Sequence, residues 1–189
     1  MIKKINKKYL LLLLICLCVS CNNSTNSKQK FISDNFLKIV DTTAYRKGAF
    51  ITNINDTLGY YSELSVRVSP EIKYSTKMNE IANVFFENNK ELKNQFKDVI
   101  KNNSNNDFTL NSNFKKKIGN YNLFFDDVKK DMNIKYAGKI DIQNFMMLNN
   151  KAFLILTESV GKQGRTFIVL LIKNKNNWVV YKKSAIIYT

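Results

Sequence analysis

The chain lacks several residue types on which common enzymes depend. It contains no histidine in 189 residues, which removes the most frequent general base, the usual zinc ligand and every nucleophile arrangement that pairs Ser or Cys with His. Its cysteines, Cys16, Cys18 and Cys21, all lie near the start of the chain. The residues after Cys21 therefore form no disulfide among themselves and depend on packing alone. These absences favour a non-enzymatic protein, and the sequence predicts no catalytic residue and no cofactor.

The first twenty-one residues have the pattern of an export signal. Four lysines within residues 3–8 precede an apolar run over residues 9–19, and Ser20 and Cys21 follow it. A basic segment, a short apolar segment and a small residue before the cleavage point are typical of a signal peptide. The apolar run is too short for a transmembrane helix, because eleven residues at ~1.5 Å each cover about 16 Å of a ~30 Å hydrocarbon core.

The end of this signal resembles the lipobox of bacterial lipoproteins, in which a signal peptidase cuts before a cysteine that carries acyl chains. Cys21 is the only cysteine preceded by a small residue, Ser20. The leucine that usually stands three positions before the cysteine is replaced by Cys18, and Leu17 lies one position earlier. The resemblance implies that Cys21 is lipidated. The alternative is an ordinary secretory signal cut near Ser20, which would leave Cys21 as a free thiol.

These features divide the chain into three parts. Residues 1–20 are the predicted lipoprotein signal peptide, residues 21–30 are the lipidated cysteine and a flexible polar tether, and residues 31–189 form a single domain. Position 22 is Asn and not Asp, and by analogy with other lipoproteins this argues against retention in the inner membrane. The expected location is the cell envelope, with the protein anchored in the outer membrane and facing the periplasm.

The net charge is strongly positive. Removing the four lysines of the signal from the 30 basic residues leaves 26 against 15 acidic residues, a net charge of +11. A nucleic-acid partner is disfavoured because the protein is exported and only three basic residues, Arg46, Arg67 and Arg165, are arginine. Arginine is the side chain that contacts phosphates and bases through two hydrogen bonds at once. An anionic membrane surface is compatible with lysines spread along the chain.

Apolar residues at spacings of three and four predict three amphipathic helices in the first part of the domain. Their predicted ranges are about 33–46, 69–101 with a kink near Asn88-Asn89, and 114–132. Ser69-Pro70-Glu71 is interpreted as the start of the second helix, with a capping serine and proline at the first helical position. Alternating apolar and polar residues predict a half-buried strand over residues 64–68.

The end of the chain predicts an antiparallel sheet. Four apolar stretches are separated by short polar or glycine-containing turns, which is typical of consecutive hairpins. The predicted strands cover about residues 140–148, 152–160, 166–173 and 178–188. Together with the helices, this pattern predicts an α+β fold in which helices pack on one face of a curved antiparallel sheet, with a C-terminal four-stranded meander.

Few motifs suggest a functional site. The sequence GKQGR at 161–165 has two glycines but precedes a strand and not a helix, so it is interpreted first as a hairpin tip. Its Lys162 and Arg165 are the alternative candidates for contact with an anionic partner. Trp178, which opens the last strand, is either a rim residue of the core or a binding hot spot.

A metal site is not predicted. Asp126, Asp127 and Asp131 form the only local acid cluster. They lack the number and loop spacing of oxygen ligands that a calcium site requires.

The order of elements over about residues 31–189 and the final Trp178-Val179-Val180-Tyr181 stretch resemble the cone-shaped NTF2-like or cystatin-like superfamily. This resemblance implies a concave sheet that holds an apolar small molecule, and some members use Tyr and Asp for proton chemistry. The preferred hypothesis is a lipid-anchored, non-enzymatic protein that binds a protein partner, as an immunity protein or an accessory subunit. The alternatives are a pocket protein with a small apolar ligand, and a binder of anionic glycans or lipid headgroups.

Overall fold

The computed structural model describes residues 25–40, 64–101, 107–119, 121–125 and 136–188. The described helices are α1 (25–39), α2 (Thr76–Asn88) and α3 (Lys90–Lys101). The described strands are β1 (Leu64–Val68), β2 (Glu71–Ile72), β3 (Phe108–Thr109), β4 (Lys117–Ile118), β5 (Tyr121–Phe125), β6 (Tyr136–Leu148), β7 (Lys151–Val160), β8 (Gln163–Asn174) and β9 (Asn177–Tyr188). The α+β class predicted from the sequence is confirmed.

Seven of these strands form one open sheet, in the order β4-β5-β1-β6-β7-β8-β9. The last four are neighbours in chain order and pair antiparallel. Strand β1 differs, because it pairs parallel with both β5 and β6. The sheet is therefore mostly antiparallel, with one parallel strand inserted beside the long C-terminal strands. Strands β2 and β3 form a separate two-stranded ribbon.

The helices cover both faces of the sheet. Successive side chains of a strand point to opposite faces of the sheet. In β7, Leu154 belongs to a buried cluster with residues of α1. Its neighbours Phe153 and Ile155 belong to a second cluster, which contains Phe86 of α2 and Phe96 of α3. The expectation that helices pack on one face is therefore wrong. The physical reason is that β7 and β8 are apolar on both faces, and each face has to be removed from water.

Helix α1 contacts strands that lie far apart in the sheet. The rings of Phe36 and Tyr121 on β5 lie 5.6 Å apart, and those of Phe31 and Trp178 on β9 lie 4.9 Å apart. Five strand spacings separate β5 from β9, which would be about 24 Å in a flat sheet. The fifteen residues of α1 extend over about 22 Å. One helix therefore packs against strands on both sides of the centre of the sheet.

Helix α1 includes residues that were predicted to be a flexible tether. Residues 25–30 are helical, and Gln29 is buried, where its side-chain oxygen accepts a hydrogen bond from the Asn111 backbone N–H at 3.1 Å. Ser33, at the predicted start of this helix, is buried within it. Tertiary contacts thus order a polar stretch that lacks an apolar pattern of its own. The predicted residues 41–46 of this helix lie outside the described residues.

The second predicted helix starts later than expected. Glu71 and Ile72 form β2, and α2 begins after Ser75, whose side-chain oxygen accepts the Met78 backbone N–H. Asn144, in the left-handed conformation at an irregularity of β6, holds Ser75 in place. Its side chain accepts the Ser75 N–H at 2.8 Å and donates to the Ser75 carbonyl at 3.1 Å. The helix therefore starts where a distant strand fixes the chain.

The expected kink near Asn88-Asn89 is a complete break between two helices. Helix α2 ends at Asn88 and α3 begins at Lys90. The Asn89 backbone N–H donates to Phe86 at 3.1 Å, and its side chain donates to the Phe85 carbonyl at 2.7 Å. These two bonds satisfy carbonyl groups that end α2.

The third predicted helix is wrong over its first half. Residues 117–118 and 121–125 are strands β4 and β5, joined at Gly119, which adopts the left-handed φ of 58°. Tyr121 and Leu123 are buried and alternate with less buried neighbours, a period of two that the helical spacing concealed. The remaining predicted helix residues, 126–132, lie outside the described residues.

The two-sided core predicts a large loss of stability when a side chain at its centre is truncated. Leu170 of β8 is fully buried among α2, α3 and β7 residues, so we expect Leu170→Ala to lower the free energy of unfolding by about 2–5 kcal/mol. Urea unfolding curves measure this loss. Val84→Ala on the exposed side of α2 is the control and should change stability by less than about 0.5 kcal/mol; a similar small loss for Leu170→Ala would contradict this core.

Candidate functional site

An open cleft of about 490 Å³ lies between α1 and the end of the sheet where β6 turns into β7 and β8 turns into β9. We call it the Trp178 cleft. The residues that define it here are Ser27, Lys30, Asp34 and Lys38 of α1 and Asn149, Lys173 and Trp178 of the sheet. Trp178 is half-buried. One of the three partner-contact residues predicted from the sequence therefore lines a cleft.

Trp178 is held in place by α1. The rings of Trp178 and Phe31 pack edge to face, with their centroids 4.9 Å apart. The Lys38 ammonium donates to the Trp178 backbone carbonyl at 2.6 Å and to the Asn35 side-chain oxygen at 3.2 Å. Trp178 is thus a rim residue of the core, and it also forms part of the wall of the cleft.

The lining of the cleft is basic. It contains Lys30, Lys38 and Lys173 against one carboxylate, Asp34. Asp34 lies 2.7 Å from Lys30 and 3.4 Å from Lys115. The hydrogen bond from Lys30, supported by Lys115, holds the pKa of Asp34 below its ordinary value, although partial desolvation opposes this shift. Asp34 remains ionised near neutral pH, and the lysines that line the cleft still exceed it in charge.

Apolar side chains pack closely on the face of the sheet that α1 covers, among the residues the structure describes. Phe36, Tyr121 and Leu154 pack there in one continuous apolar cluster. The buried carboxylate of this region, Glu158, does not line the Trp178 cleft. A buried acid and a buried tyrosine are therefore both present, but they lie in a filled core.

Glu158 forms an ion pair across the sheet. The Lys183 ammonium of β9 lies 2.9 Å from the Glu158 carboxylate of β7 and donates to the Ile39 carbonyl at the end of α1, also at 2.9 Å. It also lies 4.4 Å from the centre of the Phe167 ring. The Glu158 side chain is 3% exposed and that of Lys183 is 19% exposed. This cluster joins three strands and closes the C-terminal end of α1.

The outer strand of the sheet has an exposed apolar surface. Strand β9 is terminal in the order of the strands that the structure describes, and it is twelve residues long. Val179 is 46% exposed, Tyr181 49% and Tyr188 72%. Five large hydrophobic residues are exposed in the described part of the chain, and these three are among them. We call the surface formed by these three residues and the exposed Lys182 the β9 edge.

A bulge shapes this edge. Leu171 pairs with Val180 and Leu170 with Lys182, so Tyr181 is the extra residue of β9. Its ring lies 5.8 Å from that of Phe96 on α3. The sequence predicts a strand here, but Val179 and Tyr181 are not among the predicted contact residues, because strand order in the sheet cannot be derived from local patterns. Their position close to Trp178 was the signal that the sequence offered.

The structure does not bring the three predicted contact residues together. Lys162 lies in the turn between β7 and β8, and Arg165 is close to it, opposite Tyr188 of β9. Trp178 pairs with Lys173, eight residues from Arg165 along β8. This separation is about 26 Å. Lys162 and Arg165 therefore occupy the opposite end of the sheet from the Trp178 cleft.

Two other groups of residues singled out in the sequence lie outside the described residues. These are the predicted lipidation site Cys21 and the acid cluster of Asp126, Asp127 and Asp131. Within the ranges that are described, no group of three or more acidic or cysteine side chains is arranged to hold a metal ion. None of the helices in these ranges is long and apolar enough to span a bilayer.

Comparisons with known proteins identify no relative. No protein-family model matches the chain, and no curated protein or solved structure matches it significantly.

The ion pair between Glu158 and Lys183 generates a stability prediction. Removing one member of a buried pair leaves the other charge in a poorly solvated place, which costs about 3–5 kcal/mol. We expect Lys183→Met to destabilise the protein by this amount, and Glu158→Gln by less, because Lys183 is the more exposed member and keeps its bond to Ile39. Urea unfolding of both variants measures the difference.

The double variant Glu158→Gln/Lys183→Met is the control for this prediction. It removes both charges, so it should be more stable than Lys183→Met alone. Losses that simply add would show that the two groups are not coupled.

Proposed function

We propose that this chain is a lipid-anchored, non-enzymatic protein of the bacterial cell envelope, and that it binds a protein partner through the β9 edge. The observation that carries the proposal is the concentration of exposed Val179, Tyr181 and Tyr188 on one terminal strand. Tyrosines at exposed positions often anchor protein interfaces. A terminal strand also offers its backbone groups to a strand from another chain.

The charge of the β9 edge favours an acidic partner over a second copy of this chain. Lys182 is exposed near the centre of the edge. Two copies that paired antiparallel along β9 would bring Lys182 of one copy close to Lys182 of the other, which is unfavourable. An acidic partner strand would instead pair with Lys182, and its association rate would fall as salt is added.

The apolar packing beneath α1 supports this proposal over the alternative of a small apolar ligand. Phe36, Tyr121 and Leu154 are buried there in one cluster. The carboxylate of Glu158 is paired with Lys183 and does not line the Trp178 cleft.

The lipid anchor is proposed from Cys21 and from the position of α1. Helical structure is present from residue 25, four residues after Cys21. Four residues span at most about 14 Å. An acylated Cys21 would therefore hold the folded domain close to the membrane, without the longer tether expected from the sequence.

Charge introduced into the β9 edge should abolish partner binding. We expect Val179→Lys to lower recovery of the partner at least about tenfold in a pull-down of the lipidated protein from its native envelope, because it places a charge within an apolar contact. The matched control is Val84→Lys, which makes the same change at an exposed site on α2. Binding kinetics at low and high salt should show a slower association rate at high salt.

Two results would contradict partner binding through β9. One is equal recovery of the same partner by Val179→Lys and the unmodified protein. The other is an apolar small molecule that copurifies with the protein in stoichiometric amount, which would favour a pocket protein.

The anchor is tested separately. We expect Cys21→Ser to remove acyl labelling and to release the protein from the membrane fraction or leave its signal uncleaved, because serine lacks the sulfur to which the lipid would be attached. Metabolic labelling with a fatty acid and membrane fractionation measure both effects. Cys18→Ser is the matched control and should be acylated normally. Normal fractionation and labelling of Cys21→Ser would exclude the lipoprotein assignment.

A further inference from the structure

We propose that the end of the domain that carries the Trp178 cleft docks onto an anionic phospholipid surface next to the lipid anchor. The inference rests on the proposed acylation of Cys21 for its orientation, but the surface itself is argued from described residues. It assigns the cleft to the membrane and leaves the β9 edge to the protein partner.

The path of the chain places the cleft at the anchored end. Ser27 and Lys30 lie in the first described turns of α1 and line the cleft. Residue 25 is within about 14 Å of Cys21 along any path of the chain. Asn149 and Asn176, from the two turns at one end of the sheet, line the same cleft. An acylated Cys21 therefore brings this end of the sheet to the membrane and leaves Lys162 and Arg165 at the far end.

The anchored end presents basic groups to that surface. Lys30 has a side chain that is 76% exposed, Lys173 lines the cleft, and Lys175 is exposed in the turn between β8 and β9. Lys28 lies 5.2 Å from the centre of the Phe108 ring, and burial lowers its pKa while Asp107 opposes this shift. Lysines near anionic headgroups strengthen membrane binding by about fivefold each.

The wall of the cleft contains the side chain suited to the membrane interface. Trp178 has an apolar ring packed against Phe31 and lies beside Met147 and the lysines of the cleft. Tryptophan is enriched at the headgroup level of membranes, where its ring is partly buried and its N–H is solvated. A protein partner would be expected to contact a broader apolar area than this small basic cleft provides.

The opposite end of the sheet provides an internal control. Lys162 and Arg165 are about 26 Å or more from Trp178 along β8. Screening reduces the interaction between exposed charges beyond about 8–10 Å in physiological salt. Charges at this end should therefore contribute little when the cleft end is on the membrane, although they add equally to the net charge of the protein.

The test uses the mature chain, residues 21–189, with Cys21→Ser so that no acyl chain is present. Its binding to sedimented vesicles of phosphatidylcholine, alone or mixed with phosphatidylglycerol, is compared for two variants that remove two charges each. These are Lys30→Gln/Lys173→Gln at the cleft and Lys162→Gln/Arg165→Gln at the opposite end. Urea unfolding verifies that both variants fold.

The chain has one tryptophan, so its fluorescence reports on the cleft alone. We expect binding only to the vesicles with phosphatidylglycerol, a shift of Trp178 emission to shorter wavelength, and quenching by brominated lipid. The Lys30→Gln/Lys173→Gln variant should bind at least about tenfold more weakly, in line with two lysine contacts. The Lys162→Gln/Arg165→Gln variant should lose less than about threefold.

Several results would overturn the proposal. They are an equal loss for both variants, binding without quenching of Trp178, or no binding to the anionic vesicles. Displacement of the protein from vesicles by inorganic phosphate or a soluble anionic glycan at equal charge would assign the cleft to a soluble anion. Displacement by the captured protein partner would assign the cleft to that partner.

The anchor and the docking surface fail independently. The vesicle experiment contains no acyl chain, so it does not depend on whether Cys21 is modified. Conversely, acyl labelling of Cys21 and partner recovery through Val179 are measured in cells or envelopes and do not require binding of the cleft to phospholipid.

Discussion

The remaining architecture depends on strands β7 and β8, which are apolar on both faces. Leu154 and Val169 belong to the core on one side, and Ile155 and Ile168 belong to the core on the other. Neither face can remain in water, so one sheet requires two covering layers. Helix α1 supplies the first, and α2 with α3 supplies the second. Strands as far apart as β5 and β9 both contact α1, through Tyr121 and Trp178.

Polar groups inside this apolar framework determine how its parts meet. Asn144 fixes the start of α2 through the backbone of Ser75, and Lys183 joins the end of α1 to Glu158 across the sheet. Apolar packing is tolerant of small shifts, whereas a buried hydrogen bond or ion pair requires a particular geometry. Apolar packing alone would keep the helices against the sheet. These polar groups also specify where along the sheet each helix lies.

The two proposed surfaces share strand β9. Trp178 lines the cleft at one end of this strand, and the β9 edge begins at the adjacent Val179 and extends toward Tyr188, which pairs with Arg165. A membrane-anchored protein with this arrangement would contact lipid at one end and still expose most of the strand to another protein. Trp178 also packs against the apolar cluster that contains Phe36 and Tyr121.

Local patterns in the sequence were sufficient for the α+β class, for β1 and for the four long strands at the end of the chain, because alternation and turn residues are properties of neighbours. They also indicated the break near Asn89. Local patterns did not predict β4 and β5, because Tyr121 pairs with Leu64, which belongs to a strand far away in the chain. They also did not predict the helix over residues 25–30, because it is stabilised by distant contacts such as that of Gln29 with Asn111. Trp178 was recognisable as a candidate from its residue type, whereas its cleft and the exposure of Val179 and Tyr181 were not.

The sequence by itself determined which stretches are apolar, basic or able to turn. The tertiary structure decided which of these stretches meet and which strand ends the sheet, because those outcomes depend on pairings between residues remote in the chain.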